Sequence, residues 1–278
     1  MTLDNGRVAA RMGAKVRDRD HERSRRLGRL IAAHRLILFD LDDTLCDYSL
    51  ARLRRLTRTF EDMFRAAGQP PPGDLAGLIA RSIATDPHGV DHLPDLLADY
   101  RLSAETIVAG QRWYRANRFH ELALFARTTA ALAAVRQQPG VAGRRTGIIT
   151  NGPAEVQRAK VDLLGVEPLV DFVVISGEFG AEKPDPAIFG EALRLGDVPA
   201  ADALYVGDSS EHDVAGAHAA GLTAVWVNRN GEPWVGAGTP PDAEIRDIAE
   251  IAQAITTVAR HSRTEVPERG RDRSSGYT

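Results

Sequence analysis

Leu36-Ile37-Leu38-Phe39-Asp40-Leu41-Asp42-Asp43-Thr44-Leu45 decides the reading of this chain. An apolar, strand-like run ends abruptly in three carboxylates and a hydroxyl. Carboxylates packed at the end of a buried strand need a compensating charge, and a hard cation is the usual one. In an open α/β sheet this is the edge at which ligands bind. The spacing Asp-x-Asp-x-Thr puts Asp40 and Asp42 within reach of one substrate atom, which suits a pair with divided duties as nucleophile and general acid/base. Alone, the five-residue pattern also fits a surface turn after a strand.

Three later segments favour the chemical reading. Ile148-Ile149-Thr150-Asn151-Gly152-Pro153 is a second strand ending in a hydroxyl, an amide and a glycine. Pro153 is set to open a helix whose free amides can hold an anion. Glu182-Lys183-Pro184-Asp185-Pro186 holds a lysine in a proline-stiffened loop. Ala203-Leu204-Tyr205-Val206-Gly207-Asp208 runs on through Ser209-Ser210-Glu211-His212-Asp213, adding a glycine turn and the carboxylates of Asp208 and Asp213. Together these segments make a phosphate site with a metal.

In this order and spacing the four segments resemble the haloacid dehalogenase superfamily, specifically its phosphatase-type members, over roughly residues 34 to 230. The resemblance implies that Asp40 attacks phosphorus and forms an aspartyl-phosphate. Asp42 would protonate the leaving oxygen and then activate the hydrolytic water. Thr150 and Lys183 would bind the transferring phosphoryl group, with Asn151 and the amide of Gly152 helping. Magnesium would be held by the Asp40 carboxylate, the main-chain carbonyl of Asp42 and Asp208, with Asp213 close by through water. The chemistry is consistent with this: phosphoryl transfer spreads negative charge over equatorial oxygens, so catalysis is mostly positioning and charge neutralisation. Asp213 equally fits the first residue of a helix from Val214 to Ala220, where the helix dipole favours a carboxylate. Thr44 is expected to bond locally and shape the turn that carries Asp42.

Length and composition agree with an enzyme of this kind. With 278 residues the chain can form one large core or a core with a smaller domain. A formal net charge of −3 implies no nucleic-acid or membrane surface. Cys46 is the single cysteine, so no intrachain disulfide forms. That fits a reducing, cytoplasmic setting, with Cys46 read as a buried inert thiol. No apolar run reaches the roughly 18 residues of a membrane span. Residues 1–30 are arginine-rich but interrupted by acids and are expected to be a disordered extension, with Met12 an alternative start; residues 262–278 are expected to be a disordered tail.

Between the tails, strands expected at about 35–40, 145–150, 171–176, 203–207 and 223–228 alternate with helical patterns. This is the pattern of an α/β protein: a Rossmann-like, doubly wound parallel sheet. Residues 31–47 and 126–261 are assigned to the catalytic core, and 48–125 to an inserted helical cap. In the cap, Leu50, Leu53, Leu56, Phe60, Met63 and Phe64 form one apolar stripe, Leu75, Leu78, Ile79 and Ile83 another, and a further helix spans Ser103 to Arg118. His88, His92, Arg112, Trp113, Tyr114, Arg115 and His120 are candidate recognition groups there, none singled out. Asn228 to Pro241 reads as a loop before a final helix around Asp247 to Val258.

The functional expectation is a magnesium-dependent phosphatase of a small phosphate monoester, with nucleoside monophosphates slightly ahead of sugar phosphates. The helix after Thr150 is similar to the branch containing nucleotidases and acylneuraminate phosphatases. The alternatives are a phosphomutase of the same fold, a 2-haloacid dehalogenase, or a non-catalytic binding module. Asp42 and Asp208 argue against the dehalogenase, which needs neither. The expected partner is a small-molecule ester, and the chain is expected to be a monomer or homodimer.

Overall fold

The computed structural model describes residues 21–86, 89–138, 141, 143–236 and 238–264. Met12, His88 and the last fourteen residues of the expected tail lie outside the described residues.

Six strands form one parallel sheet: β1 (Leu36–Phe39), β2 (Arg145–Thr150), β3 (Phe172–Ile175), β4 (Ala203–Gly207), β5 (Thr223–Val227) and β6 (Ala243–Ile245). Their order is β3-β2-β1-β4-β5-β6, so the winding reverses between β1 and β4. That reversal opens a crevice at the carboxyl ends of the strands, where ligands bind in such sheets. Phe39 pairs with Ile148 of β2 and with Val206 of β4, which brings the chain after all three strands to the same edge.

β1 reads as a continuous apolar run because both of its faces are covered. Ile37 and Phe39 join one core cluster with Leu132, Val161 and Ile251. Leu36 and Leu38 join the other with Ile188, Phe189 and Ala217. The covering helices are residues 21–33 (α1), α6 (Thr128–Gln137), α7 (Ala154–Leu164), α9 (Pro186–Gly196), α10 (Gly216–Ala219) and α11 (Ala249–Thr264), and the single turn α8 (Ser176–Phe179) follows β3. Pro153 precedes α7 and Gly165 ends it in the left-handed conformation, as the punctuation predicts.

Three expectations are corrected here. Residues 21–33 are helical, although 21–30 are expected to lie in a disordered extension; Leu27 and Ile31 are buried in the core, and residues 1–20 of that extension lie outside the described residues. A Cβ on Gly28 would meet the backbone of Ala254, so this helix packs closely on α11. Its apolar stripe is short and set among arginines, and becomes recognisable only against its partner helix. At the other end α11 runs to Thr264, beyond the expected start of the tail. β6 was also missed. It is three residues long, follows a Gly/Pro-rich stretch, and is made a strand by pairing with β5.

Between β1 and α6 the chain forms α2 (Tyr48–Ala66), α3 (Leu75–Thr85), α4 (Leu93–Leu96) and α5 (Ala104–Ala116). Leu56, Phe60, Met63, Phe64, Leu78, Ile79 and Ile107 close a separate hydrophobic cluster. Leu50 and Leu53 do not join it and remain 37% and 42% exposed. The first turns of α2 instead bury Arg52 and Arg55, which donate to the Asp86 carbonyl, the Arg118 carbonyl and the Tyr114 hydroxyl. The two connections to this insertion run side by side. Cys46 bridges Leu124, the Asp47 N–H donates to the Ala123 carbonyl, and the Phe125 N–H donates to the Leu45 carbonyl. Among the described residues no helix is long and apolar enough to cross a membrane.

Candidate active site

Asp40, Asn151 and Asp208 each stand where a strand has just ended. The Asp40 N–H donates to the Val206 carbonyl at 2.9 Å, which continues the ladder by one bond and holds the Asp40 carboxylate against the end of β4. The chain then turns back through Asp43, whose φ is 57°. The Asp43 carboxylate accepts from the Ser49 N–H and hydroxyl. Arg229 donates to the carbonyls of Asp43 and Thr44 at 3.1 and 3.2 Å. The local bond expected of Thr44 is not made. Its side chain is fully buried and its hydroxyl has no partner, because the turn is held by backbone groups and by Arg229.

Lys183 is the electrostatic centre. Its Nζ donates to Asp40 Oδ1 at 2.6 Å, to Asp213 Oδ1 at 2.7 Å and to the Tyr205 hydroxyl at 2.8 Å. Burial opposes its charge, but Asp213 and Asp40 together more than offset this and hold the ammonium above the usual lysine range. Asn151 clamps the same residue from behind: its Nδ2 donates to the Lys183 carbonyl and its Oδ1 accepts from the Lys183 N–H. The Gly152 N–H donates to Ser176 Oγ at 2.9 Å. The Gly152 amide thus meets Ser176, and the Asn151 side chain meets the Lys183 backbone. Thr150 is the last residue of β2 and is buried.

Asp213 is buried within a π-helical turn (Ser210–Ala215), so it does not begin the expected helix from Val214. The residue that caps this turn is Ser209, whose hydroxyl accepts from the His212 N–H. Asp213 Oδ1 accepts from Lys183 and from the Tyr205 hydroxyl, and its Oδ2 accepts from the Ser209 N–H. Gly207 is required beneath it, since a Cβ there would strike the Asp213 carboxyl group.

Asp40, Asp208 and Asp213 bring carboxylate oxygens within 4.8 Å of one another. Among the described residues only Lys183 pairs with this group, through Asp40 and Asp213, so negative charge is left in excess. Burial pushes Asp40 up to about 7 even though Lys183 pulls the other way. Burial, then Asp40 and Asp213, push Asp208 up to about 8. Three hard oxygen donors with excess negative charge are what a divalent oxygen-seeking cation requires, so the residues fit such an ion.

Asp42 lies apart from this cluster with partners of its own. Its Oδ2 accepts from Lys160 Nζ at 2.5 Å and from Gln157 Nε2 at 3.3 Å. Lys160 is buried, with Nζ 3.8 Å from the centre of the Tyr48 ring. Sequence reasoning missed Lys160, Gln157 and Tyr205. The available signal for the first two was their spacing of three on α7, which places them on one face of the helix that follows Thr150. Burial pushes the Cys46 thiol up, in keeping with an inert group. In the inserted helices, His92 bonds to Ser82 and Tyr114 to Arg55, so both serve packing.

Comparisons with known proteins agree with this geometry. Residues 34–221 match the model of the haloacid dehalogenase-like hydrolase family. The chain is 34% identical over 198 residues to glyceraldehyde 3-phosphate phosphatase of Pyrococcus abyssi, covering 69% of this chain and 80% of that protein. It is 30% identical over 146 residues to human N-acylneuraminate-9-phosphatase, covering 52% of this chain and 57% of that one. Among solved structures, the HAD-hydrolase YfnB of Bacillus subtilis, bound to magnesium, superposes with a TM-score of 0.59 at 25% identity, over 80% of this chain and 98% of that one. Both sequence relatives are phosphoric monoester hydrolases by name. The family match spans β1 to β4, the carboxylates and the lysine just described, and the chain belongs to the haloacid dehalogenase-like hydrolases.

Proposed function

We propose that this enzyme is a magnesium-dependent phosphatase of small phosphate monoesters that works through an aspartyl-phosphate on Asp40. The observation that carries the reading is the division of the carboxylates. Asp40, Asp208 and Asp213 share one buried space with Lys183, while Asp42 is held separately by Lys160. A nucleophile beside a cation site and an acid/base outside it is the arrangement that phosphoryl transfer in two steps requires.

Magnesium would be held by the Asp40 carboxylate, the Asp42 carbonyl and Asp208, with Asp213 behind; when bound it neutralises charge between the attacking carboxylate and the phosphoryl oxygens. The remaining chemistry belongs to the chain. An Asp40 oxygen bonds to phosphorus as the ester P–O bond breaks, and Asp42 gives its proton to the departing alcohol oxygen. Lys183 and Thr150 meet the phosphoryl oxygens, with Lys183 set in place by Asn151. In the second step Asp42 takes a proton from water, which attacks phosphorus, releases phosphate and restores the Asp40 carboxylate. Residues 48–125 act as a cap that excludes water and sorts substrates. The names of the sequence relatives favour a phosphorylated sugar or sugar acid as substrate. The single buried Cys46 fits a cytoplasmic enzyme.

A panel of sugar phosphates, phosphoserine and nucleoside monophosphates, assayed for released phosphate with magnesium and with chelator, tests the proposal. Magnesium-dependent release is the expected result. Isomerisation of a sugar phosphate without release would establish a phosphomutase, and chelator-resistant halide release from a 2-halo acid would establish a dehalogenase.

A further inference from the structure

Lys160 is a buried cation that the two chemical steps do not use. It is 2% exposed, on the second half of α7, and among the described residues its ammonium has one carboxylate partner within ion-pair distance, Asp42. A buried ammonium persists only when paired and when its surroundings accept positive charge. Asp42 supplies the pair, and the face of the Tyr48 ring supplies the rest.

We infer that Lys160 is a positioning residue: it fixes the acid/base carboxylate of Asp42, links it to the first residue of the cap, and leaves Oδ1 as the oxygen that moves the proton. This rests on the phosphatase reading above. Both strong donors, Lys160 Nζ and Gln157 Nε2, reach the same oxygen, Oδ2. Among the described residues the one other hydrogen-bond neighbour of the carboxylate is the Cys46 thiol, 3.7 Å from Oδ1 and a weak donor. Oδ1 is thus the oxygen open to exchange a proton with the leaving alcohol in the first step and with water in the second. Tyr48 opens α2, and Asp47 caps that helix by accepting from the Leu50 N–H. The Lys160 contact therefore joins three elements: the turn bearing Asp42, helix α7 of the core and helix α2 of the cap. Proton transfer in a transition state is sharply sensitive to such placement.

The test compares glycerol phosphate, whose alkoxide must be protonated, with 4-nitrophenyl phosphate, whose leaving group needs little help. For Lys160→Met, kcat with glycerol phosphate should fall about 100-fold while KM stays within about threefold. With 4-nitrophenyl phosphate the first-turnover burst of nitrophenolate should persist while steady-state turnover falls, because only the second step then needs Asp42. Lys160→Arg should recover most of the loss. An unchanged kcat with both substrates, a change in KM alone, or equal loss of burst and steady state would overturn the proposal. If Lys160→Met does not melt cooperatively, Tyr48→Leu gives the same readout: it should show the same pattern at smaller size, and wild-type behaviour would overturn the link to the cap. Asp42→Asn run in parallel separates the two levels. Leaving-group dependence in Asp42→Asn but not in Lys160→Met rejects this inference alone, whereas its absence in Asp42→Asn rejects the role given to Asp42.

Discussion

Asn151 holds Lys183 by both ends of its backbone: its side-chain amide donates to the Lys183 carbonyl at 2.8 Å and accepts from the Lys183 N–H at 2.9 Å. A loop lysine is thereby held as firmly as a residue in a strand, and its ammonium falls between Asp40 and Asp213. The amide at the end of β2 serves the site by fixing the residue that carries the charge.

Asn151→Ala leaves the Lys183 peptide group without these partners. Two lost bonds at a half-buried site should destabilise the fold by about 1–3 kcal/mol. Misplacement of the ammonium should lower kcat/KM at least about tenfold. Urea denaturation and phosphate-release kinetics measure the two effects, and an intact kcat/KM would show that the clamp does not position the ammonium.

Asp40→Asn retains the shape of the side chain and removes its charge. Turnover should fall below about a hundredth of wild type, a loss beyond roughly 2.7 kcal/mol in barrier. Acid-quenched wild type should carry a phosphoryl adduct by intact-protein mass spectrometry and the variant none. Its melting temperature should match or exceed that of wild type, since one of the crowded buried carboxylates becomes neutral.

Asp40 and Asp208 also set the pH dependence of stability. Their ordinary value is 3.8, and in the fold they are pushed up to about 7 and about 8, chiefly by burial. Between those limits the folded protein holds protons that the unfolded chain has released, so the metal-free protein loses stability as pH rises through this window. Magnesium competes with the same protons, and its stabilising shift should be larger at about pH 8 than at about pH 5. Asp208→Asn should raise the melting temperature of the chelated protein at the higher pH and remove most of the magnesium shift. Equal magnesium shifts at both pH values would contradict the buried-carboxylate account.

Arg229 joins the core to both connections of the inserted helices, donating to the carbonyls of Asp43 and Thr44 and stacking 3.4 Å from the Phe125 ring centre. Arg229→Met keeps much of the stem but loses those bonds. It should destabilise the protein by about 1–3 kcal/mol and lower kcat, because the turn bearing Asp42 is no longer held. Limited proteolysis should cut the linkers near Asp47 and Ala123 faster than in wild type. Wild-type turnover and cleavage would show that the backbone bonds of the turn suffice.

The strands and the residues at their ends are legible in the sequence because they depend on local pattern. β1 is a run of four apolar residues followed by acids, and Asp40, Thr150 and Asp208 each come at or just after the end of a strand. In a parallel sheet, that position alone sends them to one edge. What only the tertiary structure decided is how the charges pair. Lys160 and Asp42 are 118 residues apart, and Lys183 and Asp40 are 143 apart. Its spacing of three from Gln157 places Lys160 on one face of α7, but nothing local marks that face as buried. The same holds for residues 21–33, whose few apolar groups form a core face only against α11, and for β6, which is a strand because β5 lies beside it. Local sequence sets which way a backbone runs and where it turns. Burial, and with it the partner each ionised group must have, arises only when distant segments exclude water from the same space.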